Sequence, residues 1–496
     1  MARPDESYSA ARTVTDSPRA YVAVDLGAST GRVMLGVLTD DRVELEECRR
    51  FETPLYEEDG HLFWDLDTIV EEVGAGVRTA LEQHADVRSV SVDSWGVDYV
   101  RLDERGRPLH DPYSYRDDRT ETVMEAALER VDRAKIYGAT GIQFMPINTL
   151  YQVLADRRAR TEDRDRTALH VPIADYVNHR LGGRIAAEET LASTTQLLHP
   201  RSRSWSTALM EAFEIDPNGW PEVVPPGTVL GTLSEELRTS AAGRSEEVPV
   251  VLAGCSHDTA CAVAGAPIDR ERGRAAFLSC GTWSLLGIER DAPLLTEEAR
   301  RANFTNELGY GGRVRFLKNI TGLWVLQECV RRWENEGRSA PYEVLLEEAE
   351  AAAPLEATVD LADRRFSTPG EMPAKIRAYC REQGHAPPEN RGETVRCVLE
   401  SLAALHAETT DTLEALVDAP IERIHLFGGG SRNPLLCRWT AEASGREVVA
   451  GPAEATALGN VLVQAKAMGD LPADVPLEHL VRQSVSLERY SPSSSR

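Results

Sequence analysis

Residues 22-VAVDLGASTGRVMLGV-37 alternate apolar and small side chains, turn at 27-GASTG-31, and alternate again. That is the pattern of strand, tight turn, strand. A second stretch of the same form, 277-FLSCGTWSLLGI-288, opens the other half of the chain. After each hairpin, strand and helix patterns alternate. This weak internal duplication predicts an α/β protein of two stacked domains with a cleft between them. The connector falls near 265–272, within GAPIDRERG.

Outward from the hairpins, residues 88–102, 248–254 and 423–427 read as strands. Helical patterns cover 122–136, 148–160, 257–264, 321–335 and 395–417, and 175-DYVNHRLGG-183 is a helix stopped by a glycine pair. The first twenty residues are polar, with no apolar core of a signal peptide, and read as a disordered tail. The closing SPSSSR reads as a flexible one.

With 496 residues, 42% of them hydrophobic and 27% charged, the composition is that of an ordinary globular protein. There is no apolar run long enough for a membrane span. The net charge of −25 argues against a nucleic-acid surface, which needs clustered Lys and Arg. Only four of the 55 basic residues are lysines, a bias that suits either a salty cytoplasm or a GC-rich genome. The eight cysteines contain no CxxC pair, which speaks against a zinc or thioredoxin-type site. Cys380 and Cys397 flank a Pro/Gly-rich loop, and a cytosolic setting favours free thiols there over a disulfide.

None of the lysines follows a glycine and no GxGxxG occurs, so a Walker loop and a dinucleotide fingerprint are both excluded. What remains is glycine inside hairpins. Gly27 and Gly31 let the backbone approach a phosphate, while Ser29, Thr30 and nearby N–H groups donate to it; Gly281, Thr282 and Ser284 repeat the device. Two ordinary hairpins with Gly-Ser turns are the alternative. Asp25 precedes the first turn, where a carboxylate reaches Mg²⁺ or caps its own turn. In 253-AGCSHDTACAVAGA-266, Asp258 follows a buried strand and starts a helix. The helix N-terminus keeps it ionised and able to accept a hydroxyl proton; a plain helix cap is the alternative. 428-GGGSRNP-434 leaves room for adenine or ribose, or is simply a strand-to-helix turn. 94-SWGVD-98 and 113-YSYRDDRT-120 supply aromatic faces and charges suited to a polyol, or a core tryptophan and a salt-bridged loop.

These strings, together with 141-GIQFMPINTLYQ-152, 317-LKNITGLWVLQ-327, 425-HLFGGGSRNPLL-436 and 451-GPAEATALGN-460, resemble the FGGY carbohydrate kinases from about Tyr21 to about Ala465. The resemblance implies two ribonuclease-H-like domains of the actin/hexokinase type closing over ATP and sugar. It implies a first domain at 20–266 for sugar, phosphate and the catalytic base, a second at 267–484 for ATP, and tails at 1–19 and 485–496. Ala28, Ser29, Thr30, Gly31 and Arg32 with Thr282 would form the phosphate turns, and Gln327 and Gly429 would contact ATP. Gly96, His257, Thr259 and Asn319 would line the sugar site beside the general base Asp258. GIQFMPINTLYQ and LKNITGLWVLQ point to members that phosphorylate the 1-hydroxyl of L-rhamnulose; L-fuculose, a xylulose or glycerol are the alternatives, and an actin-like ATP switch a remote one. The expected setting is cytoplasmic, as a monomer or homodimer, without nucleic-acid or membrane partners. Cys280, beside the second turn, would make the enzyme oxidation-sensitive if accessible.

Overall fold

The computed structural model describes residues 18–492, except for 40–41, 85, 160–165, 239–246, 269–274, 339, 355–357, 367 and 473. In the first half, the strands are β1 (Arg19–Leu26), β2 (Thr30–Leu38), β3 (Val43–Glu52), β4 (Val87–Ser94), β5 (Thr228–Thr232) and β6 (Val250–Ala253). They form one sheet in the order β5-β6-β4-β1-β2-β3. The β1–β2–β3 meander is antiparallel, and β4 and β6 run parallel to β1. The second half contributes β7 (Ala275–Cys280), β8 (Trp283–Arg290), β9 (Thr305–Leu308), β10 (Val314–Thr321), β11 (Arg423–Phe427), β12 (Glu447–Ala450) and β13 (Glu488–Tyr490). Their order is β9-β10-β8-β7-β11-β12-β13. Again an antiparallel hairpin, β7–β8, leads to a third strand, and two parallel strands flank the first. The duplication anticipated from the two hairpins is therefore a repeated topology.

The main helices are α1 (Leu66–Gln83), α2 (Val123–Arg130), α3 (Arg133–Thr140), α4 (Thr149–Ala159), α5 (Ile173–Arg180), α6 (Asp258–Ala264), α7 (Trp324–Asn335), α8 (Arg391–Val417), α9 (Pro434–Ser444) and α10 (Ala455–Ala467). The helical pattern at 122–136 breaks into α2 and α3 because Asp132 caps a new start, accepting from the Ala134 N–H at 2.7 Å.

Strand β1 is buried on both faces, and its period of two sends alternate residues to different helices. Ala20, Val22 and Val24 pack with Ile69, Val73 and Val77 of α1. Tyr21 and Ala23 pack instead with Val461 and Leu462 of α10, a helix from the far end of the chain. The exchange is reciprocal: Ala262 and Val263 of α6 pack with Phe277, Leu285 and Phe427 of the second sheet. So α6 and α10 form a shared layer between the sheets, while α8 and α9 back the second sheet through Val398, Leu402 and Leu436. Sequence order alone puts all of 267–484 in the second domain; the apolar face of α10 places that helix on the first sheet.

Of the expected tails, residues 1–17 and 493–496 lie outside the described residues, as does most of the connector. The stretch expected as a flexible C-terminal tail from 485 is ordered in part, because β13 pairs antiparallel with β12. None of the eight cysteines forms a disulfide, Cys380 and Cys397 included. Cys280 is fully buried and its thiol is pushed up to about 11 by that burial, which removes the expected oxidation sensitivity.

Helices α6 and α10 cross backbone to backbone. A Cβ at Gly459 would stand 1.8 Å from the Cys261 carbonyl oxygen, and one at Gly265 would stand 2.2 Å from that of Ala455. Both clashes are with main chain, which cannot turn aside. Gly459→Ala is therefore expected to force the helices apart and lower stability by about 1–3 kcal/mol, read as a depressed thermal unfolding midpoint.

Candidate functional site

The carboxyl ends of the parallel strands β1, β4 and β6 lie side by side. Their chain ends are tied together by the Trp95 N–H donating to Leu26 O at 3.2 Å and the Ser94 N–H donating to Ser256 O at 2.9 Å. This is where ligands bind in open α/β sheets. It brings the first hairpin turn, Gly96 and the 256–259 segment to one place.

Asp258 is the first residue of α6, with His257 at the cap position. One of its oxygens accepts from the Thr259 N–H at 2.5 Å and the Thr259 hydroxyl at 3.0 Å. About a third of the side chain (32%) remains open to the cleft. Desolvation, and then the negative charge of Asp25, push its pKa up to about 7, against the Thr259 hydrogen bonds and the Arg315 charge. The segment is held from behind: the Ser256 N–H donates to Glu188 at 2.8 Å, the Ser256 hydroxyl to Asp175 at 3.0 Å, and the His257 N–H to the Thr190 hydroxyl at 3.2 Å. Glu188 and Asp175 are buried, which raises them to about 8 and about 7.

Asp25 and Asp93 face each other across β1 and β4. Burial raises both, and the Asp25 charge raises Asp93 further. Asp93 Oδ1 is buried without a hydrogen bond. Arg32 donates to Asp25 at 2.5 Å and also to Glu454, which accepts from Arg432 at 2.8 Å. Arg32, expected at the phosphates, is thus held in an ion chain that joins the two halves.

Clustered, mutually repelling carboxylates suit a divalent cation. However, among the described residues no three His, Cys, Asp or Glu side chains converge on one point. Asp25 and Asp93 fit an ion that keeps water and phosphate oxygens as its other ligands, the habit of Mg²⁺.

The first turn, with Ser29 exposed at its tip, is braced by the Thr53 hydroxyl donating to Gly27 O at 2.7 Å. In the second, the Gly281 N–H donates to Trp283 O at 2.8 Å, and the Thr282 hydroxyl donates to Gln327 of α7 at 3.3 Å. Gly430 abuts Cys280, while Gly429 is exposed with no atom within 4 Å of its Cβ direction, leaving room beside the second turn. Trp283 packs with the first-sheet cluster that holds Ala28 and also with the second-sheet cluster, so the two turns approach one another.

The residues expected to line a sugar come from both halves. Gly96 sits against the Thr194 hydroxyl, leaving 2.9 Å for a Cβ. Across the cleft, Asn319 donates to Glu307 at 3.4 Å and to Gln143 at 3.3 Å. Glu307 stands opposite Arg315 on neighbouring strands, and Arg315 reaches His257. A polar string thus runs from Asn319 through Glu307, Arg315 and His257 to Asp258. Glu307 and Arg315 were not singled out in the sequence. The signal available was a charged residue inside the apolar strand VRFLKNIT, four positions before Asn319 and on the same strand face.

Two sugar-contact expectations are corrected. Trp95 and Asp98 are buried in the frame: Asp98 accepts from Trp64 Nε1 at 2.7 Å, Trp95 Nε1 at 2.9 Å, Gln152 Nε2 at 2.9 Å and the Tyr115 N–H at 3.1 Å. Asp117 is likewise spent on the Leu62 and Arg119 N–H groups at 2.9 and 3.1 Å. Arg116 instead spans the halves, stacking on Tyr115 at 5.5 Å and Trp324 at 5.1 Å. A separate groove of about 880 Å³ lies beside Glu454 and Arg432, and neither Asp258 nor Asn319 lines it.

Two repeated α/β domains, paired phosphate-type turns and a carboxylate at a helix start define a kinase of the sugar-phosphorylating class. Models of the FGGY family of carbohydrate kinases match here, the N-terminal domain over residues 20–265 and the C-terminal domain over 276–468. The chain belongs to this family and is an ATP-using phosphotransferase acting on a sugar. Among its relatives is a rhamnulokinase of Bacteroides thetaiotaomicron, 39% identical over 95% of this chain and 96% of the relative. A rhamnulokinase of Klebsiella pneumoniae is 40% identical over 96% of this chain and 95% of that one. The crystal structure of gluconate kinase from Lactobacillus acidophilus shares the fold, with a TM-score of 0.77 and 16% identity over 96% of this chain and 94% of that chain. No helix among the described residues is long and apolar enough to cross a membrane.

Asp98→Ala would strand the buried indole N–H groups of Trp64 and Trp95 and the Tyr115 main-chain N–H, while Gln152 Nε2 keeps the Ile147 carbonyl at 2.9 Å. The expected loss is about 2–4 kcal/mol of stability, measured by denaturant unfolding, with Asp98→Asn losing less.

Proposed function

We propose that the chain phosphorylates the 1-hydroxyl of L-rhamnulose from MgATP. The observation that carries the reading is the position of Asp258: a half-open carboxylate at a helix start, between the phosphate turn of one half and the polar string that ends at Asn319 of the other. Near-full-length identity of 39–40% to rhamnulokinases supports the choice of sugar.

In this mechanism the ketose lies against Gly96, His257, Thr259 and Asn319. Asp258 accepts the hydroxyl proton as the oxygen–phosphorus bond forms. The bond from the γ-phosphorus to its bridging oxygen breaks, and ADP leaves with the electron pair. Little covalent work falls to the protein; positioning and charge neutralisation do most of the catalysis. Backbone N–H groups of Ala28–Gly31 and the Ser29, Thr30 and Thr282 hydroxyls hold phosphate oxygens. Gln327 and Gly429 flank the nucleoside. Arg32, bonded to Asp25 and Glu454 without nucleotide, would turn toward the γ-phosphate when the nucleotide enters. Asp25 and Asp93 would hold Mg²⁺, which when bound would supply neutralisation of phosphate charge. Closure of the halves keeps out water, which would otherwise take the phosphoryl group. The first domain, 20–266, carries the base, most sugar contacts and the first phosphate turn, and the second, 267–484, the remaining ATP contacts. Eight cysteines without a disulfide among them fit a reducing cytoplasm.

Asp258→Asn should lower kcat by about 10²–10⁴-fold while leaving ATP binding largely intact; near-full activity would sink the assignment. Because Asp258 is raised to about 7 and works as the carboxylate, kcat/KM should be flat above that pH. Below it, kcat/KM should fall by about a factor of ten per unit. ATP-dependent turnover should be measured across L-rhamnulose, L-fuculose, D- and L-xylulose and glycerol, with Mg²⁺ present and then chelated. L-rhamnulose should be preferred and the activity lost on chelation. A different preferred acceptor would overturn the sugar and keep the mechanism.

A further inference from the structure

His257 lies beside the base and is buried. Its Nδ1 accepts a hydrogen bond from Arg315 Nη2 at 2.9 Å. An arginine carries donors only. Nδ1 must therefore present its lone pair, and the neutral ring carries its proton on Nε2. That nitrogen lies 3.4 Å from Asp258 Oδ1. Burial and the Arg315 charge keep the ring neutral by holding its pKa well below the ordinary value.

Arg315 is fixed for this task. It has no exposed surface, its Nε donates to Leu308 O at 3.1 Å, and Glu307 Oε2 lies 3.3 Å from Nη2 and 3.5 Å from His257 Nδ1. Glu307 balances the arginine's charge and, at 3.5 Å, stands beyond hydrogen-bond reach of Nδ1, whereas Arg315 Nη2 stands within it. His257 belongs to the first half and Arg315 to an outer strand pair of the second. The contact exists only while the halves are together.

We propose that Arg315 is a positioning residue that acts across the domain interface, holding His257 as its Nε2–H tautomer beside Asp258. The Nε2 proton is then available to the acceptor hydroxyl or the carboxylate, and the catalytic segment is completed by the opposite domain. Which nitrogen of an imidazole carries the proton is set by the hydrogen bond that the other one makes. The catalytic benefit rests on Asp258 being the base, as proposed above; the tautomer does not.

The test is a ¹⁵N spectrum of the full-length chain labelled at histidine, at neutral pH without sugar or ATP, with the His257 signals assigned from their loss in His257→Gln. The wild type should show a bare Nδ1 and a protonated Nε2. Arg315→Met alone leaves Glu307 buried and unbalanced, so Arg315→Met with Glu307→Gln is the working variant. It should show mixed tautomers and a kcat lower by about tenfold or more, as when a partner orienting an imidazole is removed, with KM for ATP unchanged. Arg315→Lys, still a donor, should restore the tautomer and part of kcat. A protonated Nδ1 in the wild type, or an unchanged His257 signal in the double variant, overturns the proposal. Since the spectrum needs no substrate, a failed sugar panel leaves it standing, and a failed spectrum leaves the panel standing.

Discussion

The crossing of α6 and α10 is the constraint on which the rest of the molecule depends. Gly265 and Gly459 allow two main chains to touch where any side chain would meet a carbonyl. One of these helices begins with Asp258 and the other follows Glu454, which holds Arg32. The helix contact therefore sets the distance between Asp258, the first hairpin turn and the second half. Buried polar ties reinforce it. Asn460 donates to Asp93 at 2.6 Å, Gln464 donates to Val22 O at 3.0 Å, and the Ser89 hydroxyl donates to Gln464 at 2.7 Å. Polar groups this deep hold one register of helix on sheet, since any slip would leave them unpaired.

Charge is arranged along the same axis. Three carboxylates, Asp25, Asp93 and Asp258, gather at the strand ends, and each makes ionisation of another harder. Arg32 relieves Asp25 from one side, and Arg315 tempers Asp258 from the other through His257. The outcome is that Asp258 titrates near neutrality and not at the ordinary aspartate value. A site of this kind gains from a cation and from phosphate together, because each offsets the charge of the other.

Much of the fold was legible because period-two alternation interrupted by Gly27–Gly31 and by Gly281 is a local signal. So were the Asp258 helix start and the open Gly429 turn, which need only their neighbours in sequence. WGVD shows where such reading stops. An aspartate among aromatics suits a sugar equally well as a core hub, and only the convergence of Trp64, Trp95, Gln152 and Tyr115 on Asp98 decides between them. Cys280 shows the same limit, since its position beside a turn suggests access and its burial against Gly430 denies it.

The sequence by itself determined the repeated hairpins, the α/β class and the place of Asp258 at a helix start, because each rests on hydrogen bonding and side-chain period within about a dozen residues. Tertiary structure alone decided that α10 lies on the first sheet, that Arg32 is tied to Glu454, and that Arg315 reaches His257. Those pairs are separated by 422 and 58 residues in the last two cases. Their partners are chosen by which apolar faces and buried charges meet when the two halves close, and no local pattern records that choice.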